Sequence, residues 1–128
     1  MPATILVVDD DESIRELLRL HLSGAGYAVQ VAEDAISAGY MVLRTPPDLI
    51  ITDIAMPHMD GFEFVAALKA DKSLPYIPVV FLTSIEDGDN RGKELGAVGY
   101  ITKPVTADRL LALVAQHVGT GTADDAAS

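Results

Sequence analysis

Leu49-Ile50-Ile51-Thr52-Asp53-Ile54-Ala55-Met56-Pro57-His58-Met59-Asp60-Gly61 is the stretch that decides how this chain folds. Its first half is apolar and β-branched, the composition of a strand buried on both faces of a parallel sheet. The strand closes on a carboxylate, Asp53, which places an acid at the C-terminal edge of the sheet, where open α/β proteins hold their ligands. Met56-Pro57 and Asp60-Gly61 then turn the chain away and predict a helix restarting near Phe62. An acid left at such a position is a nucleophile, a metal ligand or a helix cap.

Outward from this stretch the same alternation repeats. Toward the N-terminus, Thr4 to Asp9 is an apolar strand that runs into Asp9-Asp10-Asp11-Glu12. Ile14, Leu17, Leu18 and Leu22 follow at helical spacing, with Arg15, Glu16 and Arg19 on the other face and a stop at Gly24 and Gly26. Tyr27 to Ala32 is a short second strand suited to a sheet edge, and Asp34 caps a helix that carries Ile36, Tyr40, Met41 and Leu43 and ends before Pro46-Pro47. Toward the C-terminus, residues 61 to 70 form a helix with Phe62, Val65 and Leu68 inward. Val79 to Thr83 is a fourth buried strand, and Val98 to Thr102 is a fifth that leads to Lys103-Pro104. Thr106 opens an amphipathic last helix with Leu110, Leu111, Val114 and Val118. The helix expected over 86–96 is the weakest element, because it holds two glycines, each costing about 1 kcal/mol against alanine, and has almost no apolar face. Residues 119–128 are small and acidic and read as a frayed tail.

Five strands alternating with five helices predict a doubly wound, flavodoxin-like parallel sheet between two helical layers, with strand order 2-1-3-4-5. The 128 residues suffice for one domain with a sizeable core. With 49% hydrophobic but only 5% aromatic residues, that core is aliphatic. A formal net charge of -10 gives no electrostatic support to a nucleic-acid surface. The lack of cysteine removes disulfides, thiolate catalysis and Cys-ligated zinc. No apolar run approaches the ~20 residues of a membrane span, and Met1-Pro2-Ala3-Thr4 lacks the features of a signal peptide, so the chain reads as cytoplasmic.

The strand order makes the ends of strands one and three neighbours, so Asp9 and Asp10 face Asp53. Two unit charges ~4 Å apart at an effective dielectric near 20 repel by ~4 kcal/mol. Clustered carboxylates therefore require a cation or raised pKa values, and a set of oxygen donors without His or Cys points to Mg2+. Strand five adds the ammonium of Lys103, and strand four the hydroxyl of Thr83. Three acids, a lysine and a hydroxyl suit an incoming phosphoryl group, which the cations neutralise, the hydroxyl bonds and a carboxylate attacks.

In family order and spacing, Val7-Val8-Asp9-Asp10, Asp53 with Met56-Pro57 and Met59-Asp60-Gly61, Thr83-Ser84, and Gly99-Tyr100 with Lys103-Pro104 resemble the receiver domain of bacterial two-component response regulators, the CheY-like family. The resemblance covers roughly residues 4–118 and implies a receiver domain over 1–118 followed by a flexible tail. It implies that Asp53 is the phosphoacceptor and that a histidine kinase or a phosphotransfer protein is the donor. Asp10, Asp53 and the backbone carbonyl of Ala55 would bind Mg2+ directly, with Asp9 acting largely through metal-bound water. Lys103 would pair with Asp53 and then with its phosphate, and Thr83 and Tyr100 would form the switch pair. The Lys103-Pro104 bond resembles one that is cis in the family. Output, to a downstream protein or a second copy of the chain, would pass through the face of the fourth helix, fifth strand and last helix, residues 86–118.

The segment from Thr83 to Tyr100 is shorter than the usual receiver pattern, so the 86–96 helix is expected to be ordered only by phosphorylation or a partner. Ala55 and Ile85 stand where the family controls water access to the acyl phosphate, and neither can orient a water, which predicts slow self-dephosphorylation. Asp11 and Glu12 read as favourable charge at a helix N-terminus, and Asp60 as a cap. His21 and His58 lack partners at zinc spacing. Three alternatives compete with a phosphoryl-controlled signalling module that is not a metabolic enzyme. A phosphate-independent scaffold is opposed by the intact acid, Thr and Lys set, and a Mg2+ phosphohydrolase by Ala55 where an acid would be needed. A flavin domain is opposed by the lack of a Ser/Thr/Gly-rich loop after strand one.

Overall fold

The computed structural model describes residues 2–83 and 96–118. Five strands, β1 (Thr4–Val8), β2 (Ala28–Ala32), β3 (Leu49–Asp53), β4 (Val79–Thr83) and β5 (Gly99–Thr102), form one parallel sheet in the order β2-β1-β3-β4-β5. The helices among the described residues are α1 (Glu12–Gly24), α2 (Ala35–Arg44), α3 (Gly61–Ala70) and, at the C-terminus, α4 (Ala107–Val118). The helix expected over 86–96 falls outside the described residues apart from Gly96, and so does the 119–128 tail.

Side chains alternate across each strand, so the β-branched runs feed two separate apolar layers. Ile5, Val7, Leu49, Ile51, Val80 and Leu82 meet Leu18 and Leu22 of α1 and Leu110 and Val114 of α4. On the opposite face, Leu6, Val8, Ile50, Val79 and Phe81 meet α2 and α3. Every residue of β3 and of β4 is buried, as a central parallel strand requires, whereas β2 at the sheet edge is partly exposed. Cutting Leu18 or Leu110 to alanine would remove a fully buried side chain and cost about 2–5 kcal/mol.

Local chemistry fixes the helix starts. Asp11 caps α1 by accepting from the Ser13 amide, Asp34 caps α2 by accepting from Ser37, and Asp60 forms a capping box with Glu63 at α3. The caps at Asp34 and Asp60 are those expected, whereas Asp11, expected in the first turn, stands just ahead of α1 as its cap and leaves Glu12 in that turn. The bounds of four elements shift by one residue from expectation, β1 ending at Val8 and leaving Asp9 just beyond the strand. Tyr27 precedes β2 and lies buried in the core, with its amide donating to the carbonyl of Leu22 at 3.1 Å. Val98 precedes β5, and Thr106 precedes α4 while its carbonyl accepts from Leu110 at 3.0 Å.

α2 departs most from a simple apolar-face reading. Its buried residues are Ala35, Ala38 and Val42, so Ile36, Tyr40 and Leu43 point to solvent. Phe62, Phe64 and Phe81 already fill that layer, and the helix meets it with its small side chains.

Candidate functional site

Because β1 pairs with β3 in the register Val8 opposite Thr52, Asp9 leaves the sheet beside Asp53. Asp9 is fully buried and held on three sides. Its amide donates to the Ala32 carbonyl at 3.2 Å, its Oδ1 accepts from the Asp11 amide at 2.9 Å, and its carbonyl accepts from Arg15 Nη1 at 2.7 Å. Asp53 is 8% exposed, and its Oδ1 accepts from the amide of Ile54 at 2.8 Å. Asp10 next door is exposed, and one carboxylate oxygen from each of Asp9, Asp10 and Asp53 lies within 4.8 Å of the others.

Lys103 enters from the end of β5. Its Nζ stands 3.4 Å from Asp9 Oδ2 and 3.4 Å from Asp53 Oδ2, so the lysine is shared evenly between the two buried acids. Its backbone amide donates to the Thr83 carbonyl at 2.8 Å, which ties it to the end of β4, and the Lys103-Pro104 peptide is cis. The cis bond is the isomer the family resemblance implies.

Burial pushes the Asp9 carboxyl above its ordinary pKa, against the opposing pull of the Asp11 amide and Lys103. Asp53 is pushed up by burial and then by the charge of Asp9, with Lys103 opposing. Burial alone would lower the pKa of Lys103, but the carboxylates of Asp53 and Asp9 outweigh it and hold the ammonium above its usual value. One lysine therefore leaves the cluster short of positive charge. An oxygen-only donor set with two buried acids and one exposed acid fits a hard divalent cation that keeps several waters.

Thr83 is buried at the end of β4, one residue beyond the partner of Asp53 in the register. Tyr100 pairs with Phe81, and Thr102 with Thr83, so Thr83 and Tyr100 lie on the same face of the sheet. The Tyr100 ring is half-buried, 6.0 Å from that of Phe81. Ala55 is exposed in the loop after β3. His21 lies in the last turn of α1, and His58 is an exposed loop residue with φ of 70°, so neither belongs to the acidic cluster. Ile85 lies outside the described residues.

Two contributors escape a reading of the sequence. Arg15, assigned there to the polar face of α1, reaches back to the Asp9 carbonyl. Side chains on a helix lean toward its N-terminus, and a long one in the first turn lies over the preceding loop, which is the signal that locates it. Gly61, read as a turn residue, brings the start of α3 against β3 and donates its amide to the Ile54 carbonyl at 2.7 Å.

Comparison with known proteins gives a consistent family. A family model described as "Response regulator receiver domain" matches residues 5–115. Response regulator MprA of Mycobacterium sp. (strain KMS) is 38% identical over 114 residues, covering 88% of this chain and 49% of that protein. Response regulator PleD of Caulobacter vibrioides is 41% identical over 116 residues, covering 89% of this chain and 26% of that protein. The structure of chemotaxis response regulator CheY4 of Vibrio cholerae superimposes with a TM-score of 0.85 at 35% identity, covering 91% of this chain and 98% of that one. The chain thus spans half or less of the MprA and PleD proteins it matches.

Proposed function

The chain belongs to the response regulator receiver domain family, a signalling domain of two-component systems, and we propose that within it Asp53 accepts the phosphoryl group. The donor is a histidine kinase or a histidine phosphotransfer protein. The observation that carries this reading is the even sharing of Lys103 between the two buried acids Asp9 and Asp53.

Asp53 attacks phosphorus through a carboxylate oxygen. A P–O bond forms, the P–N bond to the donor imidazole breaks, and the departing nitrogen keeps the electron pair and takes a proton from solvent. Asp9, Asp10 and Asp53, with the backbone carbonyl of Ala55, would hold Mg2+, which when bound neutralises charge on the phosphoryl oxygens. Lys103 exchanges its contact with Asp53 for one with the new phosphoryl group, while the Thr83 hydroxyl donates to another of its oxygens. Tyr100, on the same face as Thr83, turns inward as the hydroxyl moves. That alters the output face of residues 86–118, of which β5 and α4 belong to the described part. The chain catalyses its own phosphorylation and slow dephosphorylation and no other reaction.

Intact mass after incubation with Mg2+ and acetyl phosphate tests the assignment. One added phosphoryl group, absent after chelation and absent in Asp53→Asn, is expected. Equal phosphorylation of Asp53→Asn would overturn it.

A further inference from the structure

Away from the acidic site, nothing among the described residues covers the outer face of α2. Ile36, Tyr40 and Leu43 are 53%, 69% and 55% exposed. Their spacing of four and then three residues sets them in one stripe along the helix. The stripe borders a groove of about 250 Å3 between α2 and α3, lined by Ile36, Gly39, Tyr40, Leu43, Ala67 and Leu68 among others. A Cβ built on Gly39 would meet nothing within 4 Å apart from its own neighbours along the chain, so the helix leaves open space at this position.

Charge is arranged along the same line. Glu33 and Asp34 stand at the N-terminal end of α2 and Arg44 at its C-terminal end, and among the described residues neither Glu33 nor Arg44 forms an ion pair. The face thus runs acid, apolar, base, a sequence that complements itself when reversed.

We propose that this face binds a second copy of the chain, the two α2 helices packing antiparallel about a two-fold axis. With the axis between Gly39 and Tyr40, Ile36 lies opposite Leu43 of the second copy, and Tyr40 lies over Gly39 of the second copy. Arg44 then comes opposite Ala35 of the second copy, beside its Asp34 and Glu33. Antiparallel packing also sets the two helix dipoles in opposition. A basic partner would match Glu33 and Asp34 but meet Arg44 as a like charge, whereas a second copy satisfies both ends. The net charge of -10 on each copy keeps the association weak at low salt.

Sedimentation of the intact chain up to about 1 mM tests the proposal, with a concentration-dependent dimer expected and Tyr40→Glu raising its dissociation constant at least about tenfold. Arg44→Glu should weaken the dimer, and the double variant Glu33→Arg/Arg44→Glu should restore it. Since the chain has no cysteine, Gly39→Cys reports the seam directly. A short bismaleimide should join two copies of it and leave an Ala66→Cys control on α3 unjoined. A chain that stays monomeric throughout the range overturns the proposal and leaves the groove to a different protein. A dimer indifferent to Tyr40→Glu, or a charge swap that does not rescue, overturns the antiparallel α2 seam.

Discussion

Gly61 and Asp53 meet so closely that a Cβ added to the glycine would overlap the backbone carbonyl oxygen of the aspartate and lie 3.0 Å from the Cα of Ile54. The obstruction is backbone on both sides, so a flexible side chain cannot relieve it. Gly61→Ala should therefore destabilise the domain by about 2–4 kcal/mol, although alanine is ordinarily the better helix former. Urea unfolding measures this, and a loss under about 1 kcal/mol would show that β3 and α3 separate easily.

Metal-free Asp53→Asn should be more stable than the parent at neutral pH, with a melting temperature higher by a few degrees. The folded pKa of Asp53 lies above its unfolded value because of burial and then the Asp9 charge. Folding thus favours the protonated acid. The resulting cost is absent below the unfolded pKa, grows as pH rises through the folded pKa, and is complete above it. The parent's melting temperature should therefore fall relative to that of Asp53→Asn on raising the pH from about 4 in chelator. Parallel pH profiles for the two proteins would contradict this.

Lys103→Met removes the cation shared by Asp9 and Asp53 and should destabilise the metal-free protein. The expected loss is about 1–2 kcal/mol, discounted from a buried pair because the lysine side chain is 30% exposed. The folded pKa of Lys103 is raised, so its stabilisation is complete below the unfolded pKa and is lost as pH rises through the folded value. Mg2+ should recover part of the loss at pH 7. Equal denaturation midpoints for parent and variant in chelator would show that the lysine is dispensable to the fold.

Asp10→Asn should separate metal binding from folding. The residue is exposed, so metal-free stability should change little. Its charge belongs to the three-carboxylate cluster, so Mg2+ affinity should drop about tenfold or more. Thermal shift against Mg2+ concentration reads both quantities at once. An unchanged Mg2+ midpoint would remove Asp10 from the metal site.

Ala55→Asn should shorten the life of the phosphorylated state. One added hydrogen bond to an attacking water is worth about 1 kcal/mol, or roughly a fivefold faster loss. Ala55 is exposed at the loop after β3, so the longer side chain has room. Decay of the added mass with time provides the rate, and a rate equal to the parent's would mean that water reaches the phosphoryl group from another side.

By itself the sequence determined the order of the described elements and the identity of the acidic set. Apolar β-branched runs ending in Asp9, Asp53 and Thr83 announce buried parallel strands whose last residues share one edge, because a parallel sheet brings all C-terminal strand ends to the same side. Asp34 and Asp60 were legible as caps for an equally local reason, since each bonds an amide three residues away, and Asp11 was legible as charge suited to a helix N-terminus. Contacts that depend on distances between elements were decided by the tertiary structure. The reach of Arg15 to Asp9 and the even sharing of Lys103 depend on where α1 and β5 come to rest against the sheet. Gly61 looked like a turn residue because steric exclusion by the neighbouring strand leaves no periodic mark. α2 is apolar nearly all round, so periodicity could not orient it. The phenylalanine-filled layer beneath took its alanines and valine and turned Ile36, Tyr40 and Leu43 to solvent, because a core packed to crystal-like density admits only the side chains that fit.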